Sequence, residues 1–267
     1  MSEYVLFNVS AFTGPDPDSG AIQALLKQSG KGAFRGTISQ VVDAFTTKVK
    51  YSENKRPWDE WLGELSAVLG KVDGAQWMVV AGQAPGGMYA CLGAGLHHPA
   101  RSVVFVNPRF NSVLPVSDVL REDKDEGDPE ITKMQMTTYG STDDPCDVFV
   151  AYIGTNPRNT FTDANVQAIR SAMQLPAGAE FCGAGINSTE QLRIDAAMLP
   201  LLYAEIKKLF IAAGAHAANT LVLSCSSMDA VCYIAASEAV RTRNTFESVY
   251  FAERLSNGAY HLIPLRV

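Results

Sequence analysis

Apolar and polar positions fall along this chain in two kinds of block. Short continuous apolar runs predict buried strands. They are Tyr4-Val5-Leu6-Phe7-Asn8-Val9, Trp77-Met78-Val79-Val80-Ala81 and Arg101 to Val106, then Val148 to Ile153, Thr220 to Leu223 and Phe246 to Phe251. Other stretches place apolar residues at helical spacing. Trp58, Trp61, Leu62, Leu65, Val68 and Leu69 share one face of a helix expected from about Pro57 to Lys71, with Pro57 suited to its first turn and Asp73-Gly74 stopping it. Ile22, Leu25 and Leu26 mark a short amphipathic helix, Met88 to Leu96 a helix of small residues, and Ile38 to Phe45 a strand or a helix. In the second half Val166, Ile169 and Met173 mark a short helix. Leu202, Ile206, Leu209, Phe210 and Ala213 mark a long one, and Met228 to Val240 a third. Continuous apolar strands alternating with helices predict parallel sheets covered on both faces.

The second half repeats the order of the first. Ala81 and Ser224 end equivalent strands 143 positions apart, and Ser10 and Gly154 open equivalent turns 144 apart. Such a period is far too long for a solenoid. It reads as a duplicated α/β unit whose halves pack about a pseudo-two-fold axis, bringing equivalent loops together as in an isologous dimer. The alternative is coincidence, since all α/β proteins alternate strands and helices; matching order, offset and helix length favour duplication. Arg109 to Cys146 forms the connector. Its charge run, Arg121 to Glu130, reads as a solvated loop, and Thr137 to Pro145 is polar and rich in turn formers. The halves are expected to divide between residues 120 and 145, taken as residues 1–140 and 141–267.

Composition narrows the function classes. With 47% hydrophobic and 19% charged residues, the 267-residue chain is globular rather than disordered. A formal net charge of −6 excludes a global basic field for duplex nucleic acid and leaves room for a local cationic pocket. No apolar run approaches a membrane span, and Met1-Ser2-Glu3-Tyr4 lacks the basic region of a signal peptide. Five scattered cysteines without a CxxC pair point to reduced thiols and a cytoplasmic location. The four histidines form no HExxH and no Cys/His ladder, so neither a metal site nor a cofactor is expected.

In open α/β sheets, ligands bind beyond the carboxyl ends of the strands. That rule selects four loops. Their candidate ligand-binding residues are Ser10, Phe12 and Thr13; Gly82, Gln83, Pro85 and Gly86; Gly154, Thr155, Asn156 and Arg158; and Cys225, Ser226 and Ser227. Helix-start N–H groups favour an anion such as phosphate, and the hydroxyls add neutral donors and acceptors. Joined across the two halves, the loops would line a wide pocket of near two-fold symmetry, suited to a cyclic phosphodiester. Each feature also has a plain structural role. The glycines permit close helix-to-strand packing. Ser226 or Ser227 can cap a helix, and Asn156-Pro157 is a turn signal. Arg158 at a strand end can clamp phosphate, although a solvated arginine is the default, as for Arg35 and Arg109. Ala81 to Gly87 is neither a Walker A loop nor a GxGxxG fingerprint. His97-His98 ends a helix without a partner at ligand or triad spacing, and Asp59, Glu64, Asp195 and Glu205 are expected to face solvent. The absence of a catalytic set favours binding over catalysis.

Val79-Val80-Ala81-Gly82-Gln83-Ala84-Pro85-Gly86-Gly87-Met88-Tyr89-Ala90-Cys91-Leu92-Gly93 resembles the strand, short proline-containing loop and small-residue helix of the SAVED family, a fusion of two CARF-like, Rossmann-like halves. Val249-Tyr250-Phe251-Ala252-Glu253, with Gly258 to Leu265, resembles its closing strand pair. The resemblance extends over nearly the whole chain through loose motifs. It implies sensing of cyclic oligonucleotides in bacterial anti-phage signalling, mostly in CBASS and partly in type III CRISPR systems. Members usually carry a fused nuclease, TIR or protease effector. Here the repeat uses nearly all of the chain, so a stand-alone sensor is expected, one that self-assembles, activates a separate effector or sequesters the signal. CARF-like relatives sometimes cleave their ligand, for which Ser10, Thr13, Thr155 and Arg158 occupy suitable places. The alternatives to a sensor are thus a ring nuclease and a scaffold module without a ligand.

Overall fold

The computed structural model describes residues 3–29, 36–53, 56–72, 74–96, 101–121, 133–140, 145–175, 178–227, 229–242 and 246–265. Arg35, Asp73, His97, His98, Met228 and the charge run beyond Arg121 lie outside them.

The first sheet contains β1 (Glu3–Asn8), β2 (Thr37–Asp43), β3 (Trp77–Ala81), β4 (Ser102–Asn107) and β5 (Ser112–Leu114), in spatial order β2-β1-β3-β4-β5. The second contains β6 (Met134–Tyr139), β7 (Val148–Gly154), β8 (Phe181–Ser188), β9 (Thr220–Ser226), β10 (Ser248–Arg254) and β11 (Tyr260–Pro264), in order β11-β10-β9-β7-β8-β6. The run β2-β1-β3-β4-β5 maps onto β8-β7-β9-β10-β11. In both, four strands are parallel and the last is antiparallel. Tandem duplication is therefore visible in the topology. The expected parallel sheets carry antiparallel edges, and β6, paired antiparallel with β8, is an addition with no counterpart among the described residues of the first half.

The helices repeat too: α1 (Ser19–Gln28), α2 (Trp58–Leu69) and α3 (Gly86–Gly95) in the first half correspond to α5 (Asp163–Met173), α6 (Met198–Ala215) and α7 (Asp229–Arg241) in the second, with α4 (Val116–Arg121) between the halves. Strand periodicity divides the core. Tyr4, Leu6, Val79 and Val104 face Ile22 and Leu26 of α1 on the outer side of the first sheet. Val148, Val150, Tyr152 and Val222 face Val166 and Ile169 of α5 on the outer side of the second. The inner sides, with Phe7, Val80, Phe149 and Leu223, share one large cluster with α2, α3, α6 and α7. The layers thus run helix, sheet, helices, sheet, helix. α3 and α7 sit in the middle, which is why α3 is apolar around its whole circumference and Ala230 to Val240 of α7 are buried on every face, Ser237 and Glu238 included.

Candidate functional site

The halves meet along α3 and α7, and small residues allow the approach. A Cβ on Gly93 would fall 2.2 Å from the Tyr233 carbonyl oxygen, and the Ser237 hydroxyl donates to the Gly93 carbonyl at 2.9 Å. At one end of this seam Gly86, the first residue of α3, lies against Cys232. Asp229, the first residue of α7, lies against Tyr89. The 143-residue offset carries Gly86 to Asp229 and Tyr89 to Cys232, so each pair is the equivalent of the other with the halves exchanged, as a two-fold relation between them requires.

The seam also sets the strand-end loops. Ser10 to Gly14 lies beside Gly82 to Gly87 through an Ala11 N–H to Gln83 carbonyl bond of 2.9 Å. Gly82 has φ +122°, and a Cβ there would meet the Ser10 nitrogen at 2.7 Å, so only glycine fits this turn. Ser10 is buried, its hydroxyl donating to Asn8 Oδ1 at 2.6 Å. Phe12 is buried under the Arg56 guanidinium, 4.7 Å from its ring centroid, whereas Thr13 and Gln83 are exposed. In the second half the Thr155 N–H reaches the Ser226 carbonyl at 3.3 Å, and the Thr155 and Ser227 hydroxyls are 2.8 Å apart. Asn156 Oδ1 accepts from the Arg158 N–H at 3.0 Å, closing the turn and leaving the Arg158 side chain exposed. The two loop pairs touch through Gly86, Cys232 and Cys225.

The N-terminus of α3, following Pro85, already holds an acidic side chain. Glu253 reaches across from β10, and its carboxylate accepts from the Gly87 N–H at 2.8 Å. Burial pushes the Glu253 carboxyl up to about 7, while the Gly87 bond and nearby Arg56 act in the opposite direction. Burial likewise raises Asp229 to about 6. Beside Gly82, Asn107 and Asp229 only about 20 Å³ of cavity remains.

The large cavity, about 760 Å³, lies between the halves next to the carboxyl ends of β7 and β8. One wall is the segment Gln191–Ala196 together with Thr155. The other is Leu25, Gln28 and Ser29 of the α1 end and Phe110–Val113. Phe110 is 60% exposed on this wall, and the Arg109 guanidinium lies 5.6 Å from its ring centroid. Arg193 is exposed on the opposite wall. Asp195 is engaged with the start of α6, its Oδ1 accepting from the Ala197 and Met198 N–H groups, each at 3.0 Å.

Of the sequence-predicted residues, only Thr155 lines this cavity. Ser226 and Ser227 stand behind it through their Thr155 bonds, while Cys225 lies against Cys232 and Gly86 borders the seam. Sequence reasoning missed Phe110, Arg193, Gln28 and Glu253. Asn107-Pro108-Arg109-Phe110 does follow a predicted strand, so the strand-end rule could have selected Phe110; nothing local marks the other three. Glu64, expected to face solvent, is half-buried and accepts from the Thr46 N–H at 3.1 Å and the Thr47 hydroxyl at 3.0 Å. The expectation of five reduced thiols is corrected: the Cys146 and Cys182 sulfurs are bonded, because β7 and β8 bring residues far apart in sequence side by side. Among the described residues no helix is long and apolar enough to cross a membrane.

No family model and no curated protein matches the sequence. Solved structures do match. A Cap4 SAVED/CARF-domain containing receptor of Acinetobacter baumannii, solved with the cyclic trinucleotide 2'3'3'-cAAA, aligns over 100% of this chain and 52% of its own at 11% identity, TM-score 0.61. The same receptor with 3'3'3'-cAAA aligns over 99% and 52% at 10% identity, TM-score 0.57. A third structure of it aligns over 100% and 50% at 9% identity, TM-score 0.55. This chain spans about half the length of those chains. At such identities the likeness is one of fold: two tandem Rossmann-like halves arranged as in the SAVED/CARF-domain receptors.

Proposed function

We propose that the cavity between the halves binds a cyclic oligonucleotide and that the chain acts as a sensor of that messenger. The observation that carries this reading is the chamber itself. It is about 760 Å³, walled by both halves, and combines an exposed aromatic ring, an exposed guanidinium and uncharged hydrogen-bonding groups. A base stacks on Phe110, as unpaired bases do on aromatic side chains. The Gln28 amide can address a base edge as both donor and acceptor. Arg193 supplies the local positive charge that a chain of net charge −6 needs to hold phosphates. The receptors that share the fold were solved with cyclic trinucleotides, which supports the same ligand class here.

In the finer form of the proposal the chain is the sensing subunit of a bacterial anti-phage system. Ligand binding changes the seam between the halves, and that change assembles or activates an effector supplied separately. The test is a thermal-shift screen against cyclic di-, tri- and tetranucleotides, with each mixture then resolved by chromatography. A shift with intact ligand supports the sensor. A shift with breakdown products replaces it by a ring nuclease, and no shift across the panel removes the ligand class.

A further inference from the structure

Three side chains of the second half that take no part in the cavity converge at the other end of β7. Cys146 lies two residues before β7, Cys182 is the second residue of β8, and His216 caps the C-terminus of α6. The two sulfurs and a ring nitrogen of His216 all lie within 4.8 Å of one another, with the cysteines buried and the histidine half-buried. Regular structure holds each donor in place. The Cys146 N–H donates to the His216 carbonyl at 3.3 Å. Phe149 of β7 is the ladder partner of Cys182, and its ring packs 5.2 Å from the imidazole. The cysteine Cα atoms are 6.1 Å apart. A disulfide makes no use of an imidazole, but two thiolates and an imidazole are the donor set of a zinc site, with a protein frame that fixes them before the ion arrives.

We propose that, with Cys146 and Cys182 in the thiol state, this corner binds one Zn²⁺ through both thiolates and His216, leaving the fourth tetrahedral position to water. Disulfide and metal are then alternative closures of one corner, each tying together the starts of β7 and β8, with the metal also tying in the end of α6. Passing from metal to disulfide joins the two sulfurs and releases the ion. Two electrons go to an oxidant of the small-molecule disulfide class, which takes two protons from solvent and becomes two thiols. Separations of 36 residues between the cysteines and 34 from Cys182 to His216 explain why no ligand motif is visible in the sequence.

The test uses the full chain, reduced and then loaded with Zn²⁺ or Co²⁺ under anaerobic conditions. Elemental analysis should find about one metal per chain. The Co²⁺ form should show a thiolate charge-transfer band together with tetrahedral d–d bands. Cys182→Ser should abolish the band, and His216→Ala should weaken metal binding at least about tenfold. Thiol titration in denaturant should count five thiols in the metal form and three in the disulfide form. Because the variants could fail to fold, the wild-type cobalt spectrum is decisive. A reduced, folded wild-type chain that takes up no Co²⁺, or a thiolate band that survives Cys182→Ser, overturns the site.

Discussion

Replacing Gly93 by alanine adds one methyl group at a close contact between the halves. Its Cβ would start 2.2 Å from the Tyr233 carbonyl oxygen and 2.9 Å from the carbonyl carbon, whereas ordinary contact begins near 3.4 Å. The helices must therefore part by about 1.2 Å, the difference between those two distances to oxygen. Parting stretches the buried Ser237 to Gly93 hydrogen bond from 2.9 Å to beyond hydrogen-bonding range. Losing that bond costs about 1 kcal/mol, and overpacking a filled seam a further ~1–3 kcal/mol. Alanine's better helix propensity returns at most about 1 kcal/mol, so a net loss of roughly 1–3 kcal/mol is expected. Gly63 of α2 provides the control. It is exposed, a Cβ there would meet nothing within 4 Å, and Gly63→Ala should stabilise by about 0.5–1 kcal/mol. Urea unfolding followed by circular dichroism measures both. A Gly93→Ala midpoint equal to or above wild type, beside a normal Gly63→Ala gain, would refute the account of the seam.

Phe110→Ala should weaken cyclic oligonucleotide binding by roughly 1–3 kcal/mol, the worth of one base–aromatic stack, while leaving the unfolding midpoint unchanged because the ring is 60% exposed; an unchanged affinity would remove it from the site. Glu253 and Asp229 have folded pKa values raised by burial, to about 7 and about 6. The folded state therefore holds protons that the unfolded state has released. The stability these groups contribute is complete at low pH, below their unfolded values, and is lost as pH rises through about 6 and then 7. Glu253→Gln keeps an acceptor for the Gly87 N–H and should flatten the upper part of that decline; urea midpoints across this range check it, and an unaltered slope contradicts the assignment. Gly82→Ala should destabilise by at least about 1 kcal/mol, since φ is +122° and the new Cβ would strike the Ser10 backbone; a neutral result in thermal unfolding would show that the turn relaxes.

The repeat was legible because its strands are continuous apolar runs and its helices carry regular stripes. β3 coincides with the apolar run Trp77–Ala81, and most of the stretch Ile38 to Phe45, which its pattern leaves open between strand and helix, belongs to β2. β8 escaped notice because Phe181–Ser188 contains two glycines, which normally weaken a strand reading. Those glycines are needed there. A Cβ on Gly183 would meet the Val150 carbonyl oxygen at 2.6 Å, and one on Gly185 the Phe161 Cβ at 2.6 Å. β6 falls inside the expected connector, its last residues in the turn-rich stretch from Thr137, because Met134–Tyr139 is a largely exposed edge strand with no apolar run. The site was less legible than the fold. The strand-end rule found Thr155 and the loops behind it, but the cavity is made by one half facing the other. Arg193 follows β8, the strand not read, and Glu253 acts on a helix 166 positions away. Such juxtapositions belong to packing and leave no local signature.

The central claim is that a cyclic oligonucleotide occupies the cavity between the halves. Calorimetric titration of one cyclic trinucleotide into wild-type protein and into Arg193→Ala tests it most directly. Saturable binding at one ligand per chain is predicted, weakened at least about tenfold in the variant by loss of a charge-assisted phosphate contact. Equal affinity in the two proteins, or no binding to wild type by any cyclic di-, tri- or tetranucleotide, would contradict it.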